Sequence, residues 1–237
     1  MGCALREEIE AATDLQLVAA LVAPEAPCLG EDAGGVAFSS DIRAALALCD
    51  VLVDFSTPQA AIDAALLMYD TPCKAMVCGT TGFSETDERA LAEAAQSITL
   101  VKSGNFSIGV NLLEHLVRET AARLPEDWDV SILDIHHRHK KDAPSGTAKM
   151  LAKAVRKAGR ELAGAQIASL RHGGVIGEHK VFFGSEMETL TLSHTALDRA
   201  IFARGALVAA RWAAGRSRGA DNGHGPGLYS MTDVLGL

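Results

Sequence analysis

Three short, almost unbroken apolar runs lie at 51–55, 75–79 and 98–102, each separated from the next by a segment with helical spacing. A strand buried on both faces reads as a continuous apolar run, whereas a half-exposed strand alternates. Runs of this kind alternating with helices are the pattern of βαβ units feeding one parallel sheet. Pro58 opens a helical pattern over 59–68, and Glu85, Asp87 and Glu88 stand where the positive end of the next helix favours acids. The apolar run 15–22 predicts a further strand, and 3–12 a short helix with Leu5, Ile9 and Ala12 on one stripe. Ligands of parallel sheets bind at the carboxyl ends of the strands. The turns of interest are therefore 55–57, 79–82 and 103–106.

A second style begins near residue 108. A helix is expected over 111–124, ended by Pro125, and a strand over 128–137. In that strand Val130, Ile132, Asp134 and His136 share one face, and Ser131, Leu133, Ile135 and His137 the other. A loop follows, then a helix over 147–159 stopped by Gly159, a strand over 187–195 and a helix over 196–215. The glycine-rich stretch 215–227 reads as a loop.

Composition narrows the partners. The net charge of −8 disfavours binding to a nucleic-acid backbone, which needs clustered Lys and Arg. No apolar run reaches membrane-spanning length, and the first residues lack the layout of a signal peptide. The five cysteines are odd in number and show no C-x-x-C spacing, so reduced thiols in a cytoplasm are expected, with Cys49 and Cys78 as small core residues.

The densest polar cluster is His136-His137-Arg138-His139-Lys140-Lys141-Asp142, followed by Pro144-Ser145-Gly146-Thr147 at the start of a helix. Free N–H groups at a helix N-terminus attract anions, and His and Lys add a proton donor and a carboxylate anchor. The cluster suits an anionic substrate that must also receive a proton; a solvated basic loop before a capped helix is the other reading. His136 and His137 point to opposite faces of a strand, and no H-E-x-x-H spacing occurs, so no metal site is expected. His115, His172, His179, His194 and His224 are scattered and read as surface or packed residues. Gly79-Thr80-Thr81-Gly82 would let a cofactor approach the backbone, or is a plain tight turn. No G-x-S-x-G motif supports a nucleophilic serine.

Taken together, VDFSTP (53–58), VCGTTGF (77–83), SGNFSIGVN (103–111), HHRHKKDAPSGTA (136–148), GVIGEH (174–179), FARGA (202–206) and GLYSMTDVLGL (227–237) resemble the 4-hydroxy-tetrahydrodipicolinate reductase (dihydrodipicolinate reductase) family. The resemblance runs in family order along almost the whole chain. It implies a Rossmann-like, parallel-sheet, dinucleotide-binding domain, placed at 1–107 and 198–237. Inserted in it is a second α/β domain with a mixed sheet, at 108–197, for substrate binding and oligomerisation. It further implies reduction of a cyclic dicarboxylate with NADH or NADPH, in lysine and diaminopimelate biosynthesis, by a homotetramer. Residue by residue, His136 and Lys140 match the family's proton-transfer pair, and His137, Gly146 and Thr147 match substrate-binding positions. Gly79, Thr80, Thr81, Ser103, Gly104, Asn105 and Phe106 match cofactor-binding positions. Asp134, two residues before His136 on the same face, would orient or bias it, or serves in polar strand pairing at an edge.

The chain departs from the family in two places. The family's opening strand and G-x-x-G-R-M-G loop are matched only by Met1-Gly2, so Met1 is expected to be an internal methionine of a longer protein. The ribose-reading position falls near Val22 and Ala23, with Glu25 shifted, which leaves NADH and NADPH both open. A non-catalytic substrate-binding or assembly protein that has lost cofactor binding is the alternative function.

Overall fold

The computed structural model describes residues 1–218 and 225–237. These fall into two compact units, Met1–Phe106 with Phe202–Gly236, and Ser107–Ile201 with Leu237.

In the first unit β3 (Val51–Asp54), β4 (Ala75–Cys78), β5 (Thr99–Lys102) and β10 (Gly227–Tyr229) form a wholly parallel sheet in the order β10-β5-β4-β3. The central strand β4 is buried at all four residues because apolar layers cover both faces. Met76, Cys78 and Leu100 face a layer that includes Leu46 of α2 (Ile42–Leu48), Ile62 and Ala65 of α3 (Pro58–Leu67), and Leu91 of α4 (Glu85–Ala94). Ala75, Val77 and Val101 face Leu5 of α1 (Gly2–Glu10) and Ala203, Ala206 and Ala210 of α7 (Ala200–Ser217). Small residues dominate α7, so its backbone comes close to the neighbouring chain. A Cβ on Gly205 would lie 1.7 Å from the Phe106 carbonyl oxygen, a spacing no side chain tolerates.

The α/β class with a parallel sheet, expected from the apolar runs, is the fold observed. Its details depart from expectation at several points. Of the run 15–22 only β1 (Ala20–Leu21) enters a ladder, and its partner is the equally short β2 (Phe38–Ser39) in a separate two-stranded parallel sheet. Apolar content alone cannot make a strand whose backbone lacks a longer neighbour to pair with. The helix expected over 196–215 starts at Ala200 and continues through Ser217, so the stretch from 215 begins helical. Its residues 219–224, with His224, lie outside the described residues.

In the second unit β6 (Asp129–His136), β7 (Ile167–Arg171), β8 (Gly177–Gly184) and β9 (Thr189–Ala196) form a mixed sheet in the order β7-β6-β8-β9. β6 runs parallel to β7 and antiparallel to β8, which pairs antiparallel with β9. One face carries Val130, Ile132, Val181 and Phe183, packed with Leu113 and Val117 of α5 (Ile108–Arg123) and Leu151 and Val155 of α6 (Gly146–Lys157). β6 alternates strictly between buried and half-exposed residues from Val130 onward. Its buried row therefore ends in Asp134 and His136, two polar side chains carried on a strand face otherwise made for a core.

Candidate active site

Asp134 is wholly inaccessible to solvent and sits on the central strand of its sheet, not on an edge. The edge-pairing reading of this residue is thereby corrected. Its Oδ2 accepts hydrogen bonds from the Ser145 backbone N–H (3.0 Å), the Ser169 hydroxyl (3.1 Å) and an Arg171 Nη2 (3.0 Å). Its Oδ1 lies 2.9 Å from His136 Nδ1 and 3.3 Å from His179 Nε2. The His136 contact is not aligned as a hydrogen bond, so it acts through charge alone. Burial by itself would raise the Asp134 carboxyl's pKa. The nearby His179 ring, with hydrogen bonds from Ser145 and Arg171, overcomes it and holds the group well below the usual carboxylate range.

His136 is buried beside this carboxylate, its ring edge-to-face with that of His179 at 5.1 Å. Burial, aided by His179, Lys140 and Arg171, outweighs the upward pull of Asp134 and brings its pKa from the ordinary 6.5 down to about 4. A histidine that folding keeps neutral makes stability depend on pH. Between the folded value near 4 and the ordinary value of 6.5, the unfolded chain binds the proton and the folded chain does not. Stability must therefore rise with pH through that window, and be fully present above 6.5. The expected slope from this one group is at most about 1.4 kcal/mol per pH unit. Urea unfolding of the wild type and of His136→Gln at pH 5 and pH 7 checks this, with the variant losing this group's part of the slope.

The same carboxylate also shapes the loop that follows. Through its N–H, Ser145 ties the loop's far end back to the strand, and its hydroxyl caps α6 by accepting from the Ala148 N–H at 3.1 Å. Gly146 and Thr147 are the first two helical residues, at the positive end of the helix dipole. Lys140 Nζ is 2.9 Å from Asp142 Oδ1, and its charge is felt at His136. Arg171 Nη2 also donates to the Asp142 carbonyl at 2.6 Å, closing the loop from the β7 side. His137 is half-buried, its ring 6.3 Å from that of His139. His136, His137, Lys140, Gly146 and Thr147 thus all belong to one strand end, loop and helix start, which the Asp134 carboxylate ties back at Ser145.

His179, one of the histidines expected from the sequence to be surface or packed residues, is packed, and its place beside Asp134 brings it into the site. Its Nε2 lies 3.2 Å from the Ser145 hydroxyl. His194 is likewise not isolated: it is the cross-strand partner of His179, and its Nε2 is 3.5 Å from the Ser107 hydroxyl. Arg171 and Ser169 gave no sequence signal, because β7 is a short and irregular stretch. Asp134, His136 and His179 also offer ligand atoms within 4.8 Å of one another. The guanidinium of Arg171 on the shared carboxylate opposes an added cation there.

The first unit holds the other group of candidate residues. Gly79, Thr80, Thr81 and Gly82 follow β4, and Ser103, Gly104, Asn105 and Phe106 follow β5, the neighbouring strand. The Ser103 N–H donates to the Cys78 carbonyl, tying the two loops together at 3.1 Å. A network absent from the sequence-based expectations fixes the first loop. Asp54 accepts from the Thr80 hydroxyl at 2.6 Å and from the Ser56 hydroxyl at 2.5 Å, and the Ser56 N–H donates to Thr80 Oγ1 at 2.8 Å. An aspartate inside the apolar run VLVDF was the signal that could have revealed it. Thr80 and Phe106 are buried, and Phe106 packs edge-to-face on Phe55 at 5.7 Å. Gly79 has no room for a side chain, since a Cβ would sit 2.1 Å from the Phe55 ring. Gly82 adopts a positive φ of 88° and faces open space, as does the side-chain position of Gly104 beyond a distant Thr81 methyl. The two loops thus present bare backbone at the strands' carboxyl ends, which suits close approach of a dinucleotide.

A family profile described as "Dihydrodipicolinate reductase, N-terminus" matches residues 1–106, and one described as "Dihydrodipicolinate reductase, C-terminus" matches residues 109–235. The chain belongs to the dihydrodipicolinate reductase family. Among the family's curated proteins, the 4-hydroxy-tetrahydrodipicolinate reductase of Parvibaculum lavamentivorans is 42% identical, with 100% of this chain and 94% of the relative covered. That of Rhizobium rhizogenes is also 42% identical, with 100% and 93% covered. A solved structure of dipicolinate-bound dihydrodipicolinate reductase from Paenisporosarcina sp. superposes with a TM-score of 0.79 at 23% identity, covering 97% of this chain and 93% of the other. That likeness speaks for the shared family fold.

Proposed function

We propose that this chain reduces 4-hydroxy-tetrahydrodipicolinate to tetrahydrodipicolinate with NADH or NADPH, a step of lysine and diaminopimelate biosynthesis. The observation that carries the reading is the buried Asp134 placed against His136 and tying down the start of α6 in a member of the reductase family. When bound, the nicotinamide cofactor supplies the hydride. Gly79, Thr81, Gly82, Ser103, Gly104 and Asn105 are the residues we assign to hold it, with Thr80 and Phe106 setting the loops' shape from within. His136 is assigned the proton donor, Lys140 its partner in charge and proton supply. His137 and the N–H groups of Gly146 and Thr147 are assigned to the substrate's carboxylates. Two carboxylates near His136 raise its affinity for a proton, so a ring neutral in the free protein takes one up as substrate binds. The alternative of a non-catalytic binding protein is not favoured, because both loop sets and the His136–Lys140 pair are intact.

The assay is cofactor oxidation with freshly generated substrate. Loss of reduced-nicotinamide absorbance that depends on substrate is expected with at least one of the two cofactors. No turnover with either, while dipicolinate still binds, would favour the non-catalytic reading.

We further propose a homotetramer built through the second unit. Leu133 and Ile135 of β6, Leu170 of β7 and Phe182 of β8 lie on the sheet face opposite α5 and α6, and Leu170 is 50% exposed. Sedimentation velocity at micromolar concentration should give a four-chain mass; a monomer there sinks the idea. No described helix is long and apolar enough to cross a membrane, and the five cysteines are free. Both fit the cytoplasmic location we assign.

A further inference from the structure

Two cysteines outside the candidate site stand face to face. Cys49 caps the C-terminus of α2 just before β3, and Cys73 precedes β4. β3 and β4 pair in parallel from Val51 and Ala75 onward, so the two cysteines occupy matching positions, each two residues ahead of the first pair. Neighbours in a parallel ladder stand about 4.8 Å apart, within the Cα spacing of about 4.4–6.8 Å that a disulfide spans. Their side chains follow suit. The Cys49 thiol points at Cys73 Sγ from 3.5 Å, and both pack against the same apolar layer. Cys73 is buried, and half-buried Cys49 gives the pair its contact with solvent.

We propose that Cys49 and Cys73 are an oxidation site that closes to a disulfide under peroxide, ahead of the chain's other three cysteines. The hydrogen bond from Cys49 favours the thiolate of Cys73 and lowers its pKa, and the thiolate is the form that attacks. That thiolate displaces water from the peroxide O–O bond and becomes a sulfenic acid. The Cys49 sulfur then displaces the sulfenic hydroxyl, which leaves as water. Two thiols and one hydrogen peroxide become one disulfide and two waters. The competitors lack a resolving thiol at hand. Cys78 is also disarmed, because burial and the adjacent Asp54 carboxylate push its thiol up to about 12. The new bond would tie β3 to β4 at their amino ends, away from the loops at 79–82 and 103–106. The cross-link is therefore expected to stabilise the first unit and leave turnover unchanged within about twofold.

The experiment treats the full chain with a small excess of hydrogen peroxide and then counts thiols in denaturant. Two of the five cysteines should be lost to the count and recovered with dithiothreitol. Non-reducing peptide mapping should show 49 linked to 73 at a mass lower by two hydrogens. The melting temperature should rise by roughly 5–10 °C, and Cys49→Ser should show neither link nor rise. The inference is overturned if the mapped link joins other cysteines, or if Cys3 or Cys28 oxidises while 49 and 73 stay reduced. It is also overturned if either sulfur of the pair goes on to sulfinic acid unlinked. Mapping on the wild type decides the matter even where Cys49→Ser fails to fold.

Discussion

His136→Gln should lower kcat by about 100- to 10,000-fold, the usual contribution of a positioned proton donor. Glutamine keeps the side chain's approximate size and polarity but has no proton to give. Because His136 lies at the end of a buried row, the substitution leaves Val130 and Ile132 packed as before. The loss should therefore fall on kcat, with KM changed by less than about tenfold. Lys140→Ala should also lower kcat strongly, and it removes a charge that presses on His136. Among the described residues the half-exposed Lys140 pairs with the exposed Asp142 across the loop, so the fold should survive, as far-UV circular dichroism can check. Near-wild-type turnover in both variants would refute the roles assigned to them.

A second large effect is expected at Asp134. Alanine there leaves the Arg171 guanidinium, the Ser145 N–H and the Ser169 hydroxyl facing a void where a carboxylate oxygen accepted all three. Removing one partner of a buried ion pair costs about 3–5 kcal/mol, chiefly because the other charge stays behind unpaired. Asp134→Ala should thus unfold at markedly lower urea. It should also lose activity, since the Ser145 end of the 137–145 loop is released and Arg171, which grips the Asp142 carbonyl, loses its anchor. Asp134→Asn separates positioning from scaffolding. It retains the shape but removes the negative charge that lifts the proton affinity of His136. The high-pH limb of the kcat profile, where the donor loses its proton, should then move to lower pH. A variant that is merely less stable, with that limb in place, would assign Asp134 a structural role only.

How far the sequence could be read depended on what each residue needs from its neighbours. The strands β3, β4 and β5 were legible because a strand buried on both faces carries its own signature in an unbroken apolar run. β6 was legible to within one residue at each end by alternation, and with it the shared face of Asp134 and His136. The loop at 136–147 stood out by its density of His and Lys. β2 and β7 were not legible, because two-residue and mixed-polarity strands exist only by virtue of the partner that pairs with them. The same holds for His179 and Arg171. Each lies far along the chain from Asp134, and only the β6–β7 and β6–β8 pairing brings them to it. Position in the chain said nothing of that, whereas the GVIGEH motif contained His179 without disclosing its partner.

The close passage of Gly205 past Phe106 has a consequence for how the molecule is made. The second unit is drawn almost entirely from one uninterrupted stretch of chain, while the first is completed by residues made after that stretch. Until α7 has been synthesised, the face of the parallel sheet bearing Ala75, Val77 and Val101 lacks that helix's cover. The second unit can therefore finish folding before the first does. Nascent chains halted ahead of α7 carry a sticky apolar sheet face that is a natural target for chaperones.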